Sequence, residues 1–381
     1  MKKTLAAVAV LGAFAGSALA ADVQLYGIVD TGLRYMHFDG DAAAAGYDAT
    51  DAFEMKSGMQ SGSRFGLKGT EDLGNGLTVG FILENQFDSD TGALKNEDSF
   101  FHRESSLFLE GSFGKIAVGR IGSINNGVSS WAQFGMLSAF GTSWDYSAQV
   151  GTWAVGAGMW DNMIAYQTPT FAGFTVYAQY GMGSNDNENE SSSDRYYALG
   201  AKYANGPLNL YLAVDSINYQ TADLAAGVNA DDIDDSLTVT FGGNYDFEVV
   251  KLFAGAQYYD EAEISTAFGL LDTRDYNTKT YAGKFKGWSL GVSASIPAAG
   301  GQVLVGAGYM DAESADSQKA AKDDELTRWV VSAGYDYPLS KRTNVYGILT
   351  YAQDSLDYTD PTAKDQDPTV FAAMIGLRHK F

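Results

Sequence analysis

Side chains that commonly catalyse reactions are scarce in this chain, which holds three histidines and no cysteine in 381 residues. The one arrangement that suggests catalysis is His102, Glu104 and Ser106, at alternate positions of one predicted strand. A hydrolase needs a nucleophile within reach of a positioned base. Polar alternation alone produces this spacing, and the chain has no Gly-x-Ser-x-Gly nucleophile motif. We therefore expect no enzymatic activity and no cofactor.

Other charged side chains alternate with apolar ones along predicted strands. Arg64 and Lys68 oppose Phe65 and Leu67, and Glu84 lies on the polar face of the next segment. A strand with one apolar and one charged face can separate lipid from water in a transmembrane barrel. A soluble sheet with its polar face in solvent would give the same pattern.

The alternation continues from Asp22 to the end of the chain, in segments of about ten residues, the length typical of membrane-spanning strands. In the first segment, Leu25, Val29 and Leu33 lie on one face, whereas Asp30 and Arg34 lie on the other. The pattern therefore predicts an all-β chain.

The lengths of the connections separate the two alternatives. Seven predicted connections are short, at 71–76, 112–114, 168–173, 204–207, 246–248, 297–301 and 337–343. Eight are long, at 37–58, 89–98, 121–160, 182–193, 216–235, 261–278, 311–324 and 353–368. Long and short alternate, so both ends of the chain lie on the short-turn side, as in bacterial outer-membrane barrels. The sequence predicts a 16-stranded antiparallel transmembrane β-barrel.

The N-terminus has the features of a secretory signal peptide. Lys2 and Lys3 precede the apolar run 5–15, and Ala18-Leu19-Ala20 forms a small-x-small cleavage site. We expect residues 1–20 to be removed and 21–381 to form a single domain. Loss of two lysines would change the formal net charge from −22 to −24.

The C-terminus ends in a strand whose last residue is aromatic. Aromatic rings are favoured at membrane interfaces, and a closed barrel must pair its last strand with its first. Gly376, His379 and Phe381 are spaced like an outer-membrane assembly signal. We expect the barrel assembly machinery to recognise this segment.

The amino-acid composition and net charge limit the kinds of molecule that the protein is expected to bind. The chain has 44 glycines, 23 tyrosines and 21 phenylalanines, which suit tight turns and aromatic interfaces. Its formal net charge of −22 disfavours nucleic acid as a partner, because phosphates would be repelled. The carboxylates of the acidic outer loops could bind divalent cations, but such runs are more often simply solvated, and their spacing matches no EF-hand loop. We expect no metal site.

Several motifs together resemble the general porins of Gram-negative bacteria, especially those of the β-proteobacterial and neisserial type. They occur in the family's order at 22–30, 63–77, 113–114, 118–120, 161–166, 339–343 and 376–381. The resemblance implies an outer-membrane homotrimer in contact with lipid and lipopolysaccharide. It also implies a water-filled channel for ions and small hydrophilic solutes, narrowed by an inward-folded third outer loop.

The resemblance also suggests which charges line the narrow part of the pore. The basic candidates are Arg64, Lys68, Arg103 and Arg120, and the acidic candidates are Glu84, Asp145 and Asp161. Arg103 and Arg120 fall at the same alternate positions as the apolar residues of their strands, and both lie near the outer rim. Met159, Trp160 and Ala165 occupy a stretch that usually carries basic residues in the family. We therefore expect weak selectivity that leans towards cations.

The segment 122–160 is the predicted third outer loop. It contains four of the six tryptophans, no Lys or Arg, and a single acidic residue, Asp145. Exposure of such an apolar loop to solvent would be unfavourable, so we expect it to pack inside the barrel or at a subunit contact. Its aromatic rings would either anchor the loop, which we favour, or favour saccharides in the channel. An outer-membrane hydrolase and an adhesin remain less favoured alternatives.

Overall fold

The computed structural model of the chain describes residues 22–39, 51–125, 127–142, 144, 151–155, 158–183, 193–219, 234–264, 284–315, 324–359, 361 and 365–381. This part of the chain contains eighteen strands: β1 (Gln24–Asp39), β2 (Asp51–Ser57), β3 (Arg64–Gly74), β4 (Leu77–Gln86), β5 (Glu104–Gly111), β6 (Gly114–Gly122), β7 (Ala154–Val155), β8 (Met159–Gln167), β9 (Phe174–Gly181), β10 (Arg195–Asn205), β11 (Leu208–Asn218), β12 (Leu237–Asp246), β13 (Lys251–Ile264), β14 (Lys284–Ala298), β15 (Gly301–Ser314), β16 (Glu325–Pro338), β17 (Thr343–Asp357) and β18 (Thr369–Lys380).

The strands form a closed antiparallel barrel with a wall of sixteen strands. β2 and β3 are two parts of the second wall strand, since both pair with β1, and β7 lies in the third outer loop. β18 closes the wall by pairing with β1, from Ile28 opposite Lys380 to Asp39 opposite Thr369. Closure leaves every wall strand with a neighbour on each side, as lipid requires. The predicted 16-stranded barrel is confirmed.

The two faces of the wall differ in the way that the alternation predicts. On β1, the side chains of Leu25 and Leu33 are 54% and 39% exposed and form part of the outer face. Asp30 and Arg34 point to the opposite, inner face and are buried. The outer face is therefore the one that suits lipid.

The inner face is less polar than the sequence suggests. Met36, Val330 and Met374 lie at inner-face positions of three wall strands and are buried. They belong to an apolar cluster that also includes Phe140 and Trp144 of the third outer loop. The expectation of a small or polar inner face is wrong here, because a distant segment covers these side chains.

The predicted connections agree with the structure at the seven short turns, and the long connections differ in detail. The sequence predicts one loop over 37–58, but β1 continues to Asp39 and β2 occupies Asp51–Ser57. Seven residue pairs between these two segments, from Thr31 opposite Ser57 to His37 opposite Asp51, extend the wall beyond the predicted strand ends. The predicted signal peptide, Asp145 and most of the acidic loop residues lie outside the described residues. None of the helices in the described part has the length and apolar character to cross a membrane.

Candidate functional site

Glu84 is the centre of a charged cluster on the inner face of the wall. Its Oε1 lies 2.6 Å from Nε of Arg103, and its Oε2 lies 3.6 Å from Nε of Arg64. The hydroxyl of Tyr26 donates to Oε2 at 3.0 Å. Three of the predicted constriction residues are therefore brought together, on β3, on β4 and just before β5. One carboxylate is shared by two guanidinium groups, so the cluster is strongly charged but locally compensated.

The alternation places Arg103 with the apolar residues of its strand, but in the structure its side chain binds Glu84 on the inner face. Its side chain is buried, and Nη1 donates to Oε1 of Gln86 at 2.7 Å. Nη2 donates to the carbonyl oxygen of Val128 in the third outer loop at 3.2 Å. β5 begins only at Glu104, so the strand alternation does not extend to residue 103. Arg103 therefore joins the charged wall to the loop.

Glu104 also binds the third outer loop. Its carboxylate accepts hydrogen bonds from the backbone N–H of Ser130 at 2.9 Å and from the hydroxyl of Ser130 at 2.7 Å. The hydroxyl of Ser106 donates to Glu104 at 2.9 Å. His102 precedes β5, and its carbonyl oxygen accepts from Nε of Arg120. The arrangement that could have suggested a hydrolase is therefore a set of structural hydrogen bonds.

Lys68 and the pair Arg120–Asp161 lie beside the Glu84 cluster and contact its neighbours. The ammonium of Lys68 is 5.2 Å from the centre of the Tyr26 ring. Nη1 of Arg120 is 2.5 Å from Oδ1 of Asp161, where β6 and β8 shift register. Asp161 therefore compensates Arg120, and this pair adds little net charge to the site.

Arg378 is a charged inner-face residue that the prediction omitted. Its Nε donates to Oδ1 of Asn344 at 3.0 Å, and its Nη1 donates to the hydroxyl of Ser61 at 2.8 Å. Both acceptors are neutral. The signal was present in the sequence, because Arg378 and Lys380 occupy the polar face of the last strand. What the sequence could not show was the distance to the other charges.

The third outer loop is hydrogen-bonded to side chains of the inner face on several strands. The backbone N–H groups of Ala139 and Ala154 donate to Ser293 and Gln257 at 2.9 and 2.8 Å. Its carbonyl oxygens also accept, at 2.8 Å from Asn244 to Met136 and at 2.7 Å from Arg328 to Gly151. These contacts reach from β12 to β16, so many wall strands determine the path of the loop.

The loop's aromatic side chains are packed away from solvent. Trp131, Trp144 and Trp153 are 3%, 6% and 3% exposed. The ring of Trp153 lies edge-on to Phe134, with 5.3 Å between ring centres. Rings this deeply buried do not offer a face on which a sugar could stack. This burial supports the interpretation that the rings anchor the loop.

The three residues of the predicted assembly signal each have a packing role in the folded barrel. A Cβ atom at Gly376 would overlap the phenol of Tyr346, and a Cβ atom at Gly27 would overlap the ring of Phe381. Phe381 also exchanges backbone hydrogen bonds with Gly27 at 3.0 and 3.2 Å. Nδ1 of His379 lies 2.9 Å from the hydroxyl of Thr343. Close packing therefore accounts for the glycine and the terminal aromatic.

The site contains charges and hydrogen-bonding groups arranged along a wall. Within the described ranges, no three His, Asp or Glu side chains are grouped so that they could hold a metal ion. Such an arrangement can attract, orient and pass charged or polar solutes through a water-filled barrel.

Comparisons with known proteins agree with this geometry. The family model described as "Gram-negative porin" matches residues 6–357. The chain is 34% identical to an outer membrane porin protein of Bordetella pertussis, with 100% of both chains covered. It is 32% identical to "Outer membrane porin protein 32" of Delftia acidovorans, over 93% of this chain and 90% of the relative.

A solved structure is also similar. It is the "Anion-selective porin from Comamonas acidovorans", with a TM-score of 0.68 and 26% identity over 95% of this chain and 100% of that one. Porins are channels of the outer membrane and not enzymes, so the expected location and the expected lack of enzymatic activity are confirmed. The chain belongs to the Gram-negative porin family.

Proposed function

We propose that this porin is a general diffusion channel for ions and small hydrophilic solutes, with weak charge selectivity. The observation that carries the proposal is the sharing of Glu84 by Arg64 and Arg103 on the inner face of the wall. A lipid-facing surface would reject three ionised groups, whereas a water-filled lumen accepts them. Because their charges partly cancel, the field acting on a passing ion is modest.

We infer that the third outer loop folds into the lumen and narrows it. The support is its hydrogen bonding to inner-face side chains on β12, β13, β14 and β16. Phe140 and Trp144 add apolar contacts with inner-face residues of the wall. A loop attached at so many points has little freedom to leave the barrel.

The selectivity that we propose leans weakly towards cations. Glu84 and Glu104 equal Arg64 and Arg103 in formal charge, and the inner-face acids Asp30 and Asp336 offset Lys68 and Arg378, so the wall is close to balanced. The formal net charge of −22 for the whole chain then favours cations near the pore mouths. The similar Comamonas porin is named for the opposite selectivity. The sign is therefore the most informative property to measure.

Purified protein in a planar bilayer under a salt gradient tests the proposal. We expect stepwise conductance and a small zero-current potential of the sign for cation preference. A potential of the opposite sign would show that the basic residues outweigh the acidic ones. If correctly folded protein did not conduct, the diffusion-channel proposal would be wrong.

We also propose the homotrimer and the contacts with lipopolysaccharide and the assembly machinery that the family implies. The exposed apolar residues of the outer face, such as Leu25 and Ile375, suit both lipid and subunit contacts. Gel migration before and after boiling tests the trimer, because the unheated protein should migrate as a larger species. Migration of chemically cross-linked protein only as a monomer would contradict it.

A further inference from the structure

The second strand of the barrel wall is interrupted by an ordered segment, residues 58–63. β2 pairs with Thr31–His37 of β1 and β3 pairs with Gln24–Ile28, so these six residues lie outside both ladders. Gly58 has a φ of 72°, which turns the chain out of the strand. Met59, Gln60 and Ser61 are buried. The interruption is therefore a packed structural element, which we call the strand break.

Asp30 holds the strand break in place. Its Oδ2 accepts hydrogen bonds from the backbone N–H groups of Gln60 at 2.9 Å and Ser61 at 2.6 Å. Its Oδ1 accepts from the hydroxyl of Tyr346 at 2.5 Å. A carboxylate with three such donors fixes the backbone direction of the break relative to β1 and β17.

Gln60 connects the break to the third outer loop. Its carbonyl oxygen accepts from the backbone N–H of Trp144 at 3.3 Å. Its side chain donates to Asp336 and accepts from Asn344, both at 2.8 Å. The side chain and the backbone of this one residue thus link the second wall strand to β16, β17 and the loop.

The contact closes a ring of four residues. The ring of Trp144 lies edge-on to that of Tyr346, with 5.3 Å between centres, and Tyr346 in turn binds Asp30. Asp30, Gln60, Trp144 and Tyr346 therefore support one another in a closed circuit. Removal of any member would loosen the other three.

Trp144 has a strained backbone at this contact. Its φ of 66° lies in the left-handed region, which a bulky residue rarely adopts. Such a conformation is unfavourable for a bulky residue and persists only where the surrounding contacts enforce it. The contacts with Gln60 and Tyr346 are the ones placed to enforce it, so their loss would favour a different loop path.

We propose that the strand break is a latch that fixes the third outer loop and thereby sets the aperture of the pore, with Gln60 as its positioning residue. This inference rests on the proposed function, in which the loop narrows the lumen. Release of the latch would let the loop backbone at Trp144 sample wider and narrower positions, while the bonds to β12, β13, β14 and β16 hold the rest of the loop. The channel would then pass larger solutes and show noisier current.

The first test compares two glutamines that line the same cavity. Gln60→Ala keeps the backbone bond to Trp144 but removes the side-chain bonds to Asp336 and Asn344 that hold the strand break in place. Gln302→Ala removes an amide that bonds to Ser295 on the wall. In liposome swelling, we expect Gln60→Ala to raise the rate for a disaccharide relative to a monosaccharide roughly twofold, since a wider aperture admits larger solutes. Gln302→Ala should leave this ratio unchanged. Equal ratios in the two variants would overturn the proposal.

The second test uses the absence of native cysteines. The hydrogen bond between residues 60 and 144 brings their backbones together, and a disulfide requires Cα atoms about 4.4–6.8 Å apart. We expect the double variant Gln60→Cys and Trp144→Cys to cross-link on oxidation, and its current noise to increase reversibly on reduction. Each single variant serves as a control for the effect of its own substitution.

The two tests separate the inference from the function on which it depends. If the folded double variant does not cross-link, the latch contact is absent and the inference fails even when the wild type conducts. If the cross-link forms but the folded wild type does not conduct, the diffusion-channel proposal fails. Gel migration before boiling confirms that each variant has folded.

Discussion

The hydroxyl of Tyr346 donates a 2.5 Å hydrogen bond to Oδ1 of Asp30, across the strand that closes the barrel. Tyr346 lies on β17 and Asp30 on β1, with β18 between them. The phenol passes over Gly376, where a Cβ atom would overlap it. The hydrogen bond between Tyr346 and Asp30 thus links the two neighbours of β18 across its inner face, in addition to the backbone ladders that β18 forms with each of them.

This relationship predicts that Gly376→Ala destabilises the folded barrel. The added methyl group displaces Tyr346 and breaks its bond to Asp30, which leaves a buried carboxylate short of one donor. We expect the folded band to be lost at a lower temperature in heat-modifiable gel migration. Gly347→Ala is the matched control, because the nearest neighbouring heavy atom to its Cβ would be 3.5 Å away. Equal melting of both variants would contradict the packing role of Gly376.

A second prediction concerns the charge at Glu84. Glu84→Gln leaves Arg64 and Arg103 without their shared carboxylate, so the local field becomes more positive. We expect the zero-current potential in a salt gradient to shift towards anion preference. Glu110→Gln makes the same change of charge at an exposed position of β5 and should have a smaller effect. A larger shift in Glu110→Gln would show that Glu84 does not control selectivity.

A third prediction concerns the buried ion pair of Arg328 and Asp354. Both side chains are 0% exposed, and Nε of Arg328 lies 2.6 Å from Oδ1 of Asp354. Removing one partner of a buried pair costs about 3–5 kcal/mol, because the other charge stays buried. We expect Asp354→Leu to melt well below the wild type in heat-modifiable gels.

The double variant Arg328→Met and Asp354→Leu separates the charge from the loop contact. It should recover much of the lost stability, because no unpaired charge remains. It still lacks the hydrogen bond from Arg328 to the carbonyl oxygen of Gly151. The current should therefore remain noisier than in the wild type. If the double variant melted no higher than Asp354→Leu, the buried charge would not explain the loss.

A fourth prediction concerns pH. Burial, with Arg103 and Arg120 nearby, lowers the pKa of His102, which precedes β5. The unfolded chain then binds a proton at a pH where the folded chain does not, so this contribution to stability is present above the unfolded pKa of about 6.5. It is lost as the pH falls through that value towards the folded pKa. The melting temperature should therefore fall less steeply on acidification in His102→Gln, and equal slopes would contradict the role of His102.

A fifth prediction concerns solutes. Because Trp131, Trp144 and Trp153 are buried, the channel should not favour sugars over other neutral solutes. We expect liposomes to swell at equal rates in a sugar and in a polyol of matched size. Faster swelling in the sugar would revive the saccharide hypothesis.

The sequence determined the class of the fold and the positions of most strands. Side chains alternate with a period of two in any strand, and short turns have a recognisable local composition, so both signals are carried by neighbouring residues. The outward position of Leu25, the inward position of Asp30 and the seven short turns all follow from such local patterns.

Only the tertiary structure decided which inner-face residues meet. Glu84, Arg64 and Arg103 come together because three segments of the wall are adjacent, and the sequence contains no measure of the distance between them. The strand break at 58–63 and the apolar inner positions Met36 and Met374 depend on packing with residues far away in the chain. Such contacts are specified by the closure of the barrel and the path of the third outer loop, which no local pattern encodes.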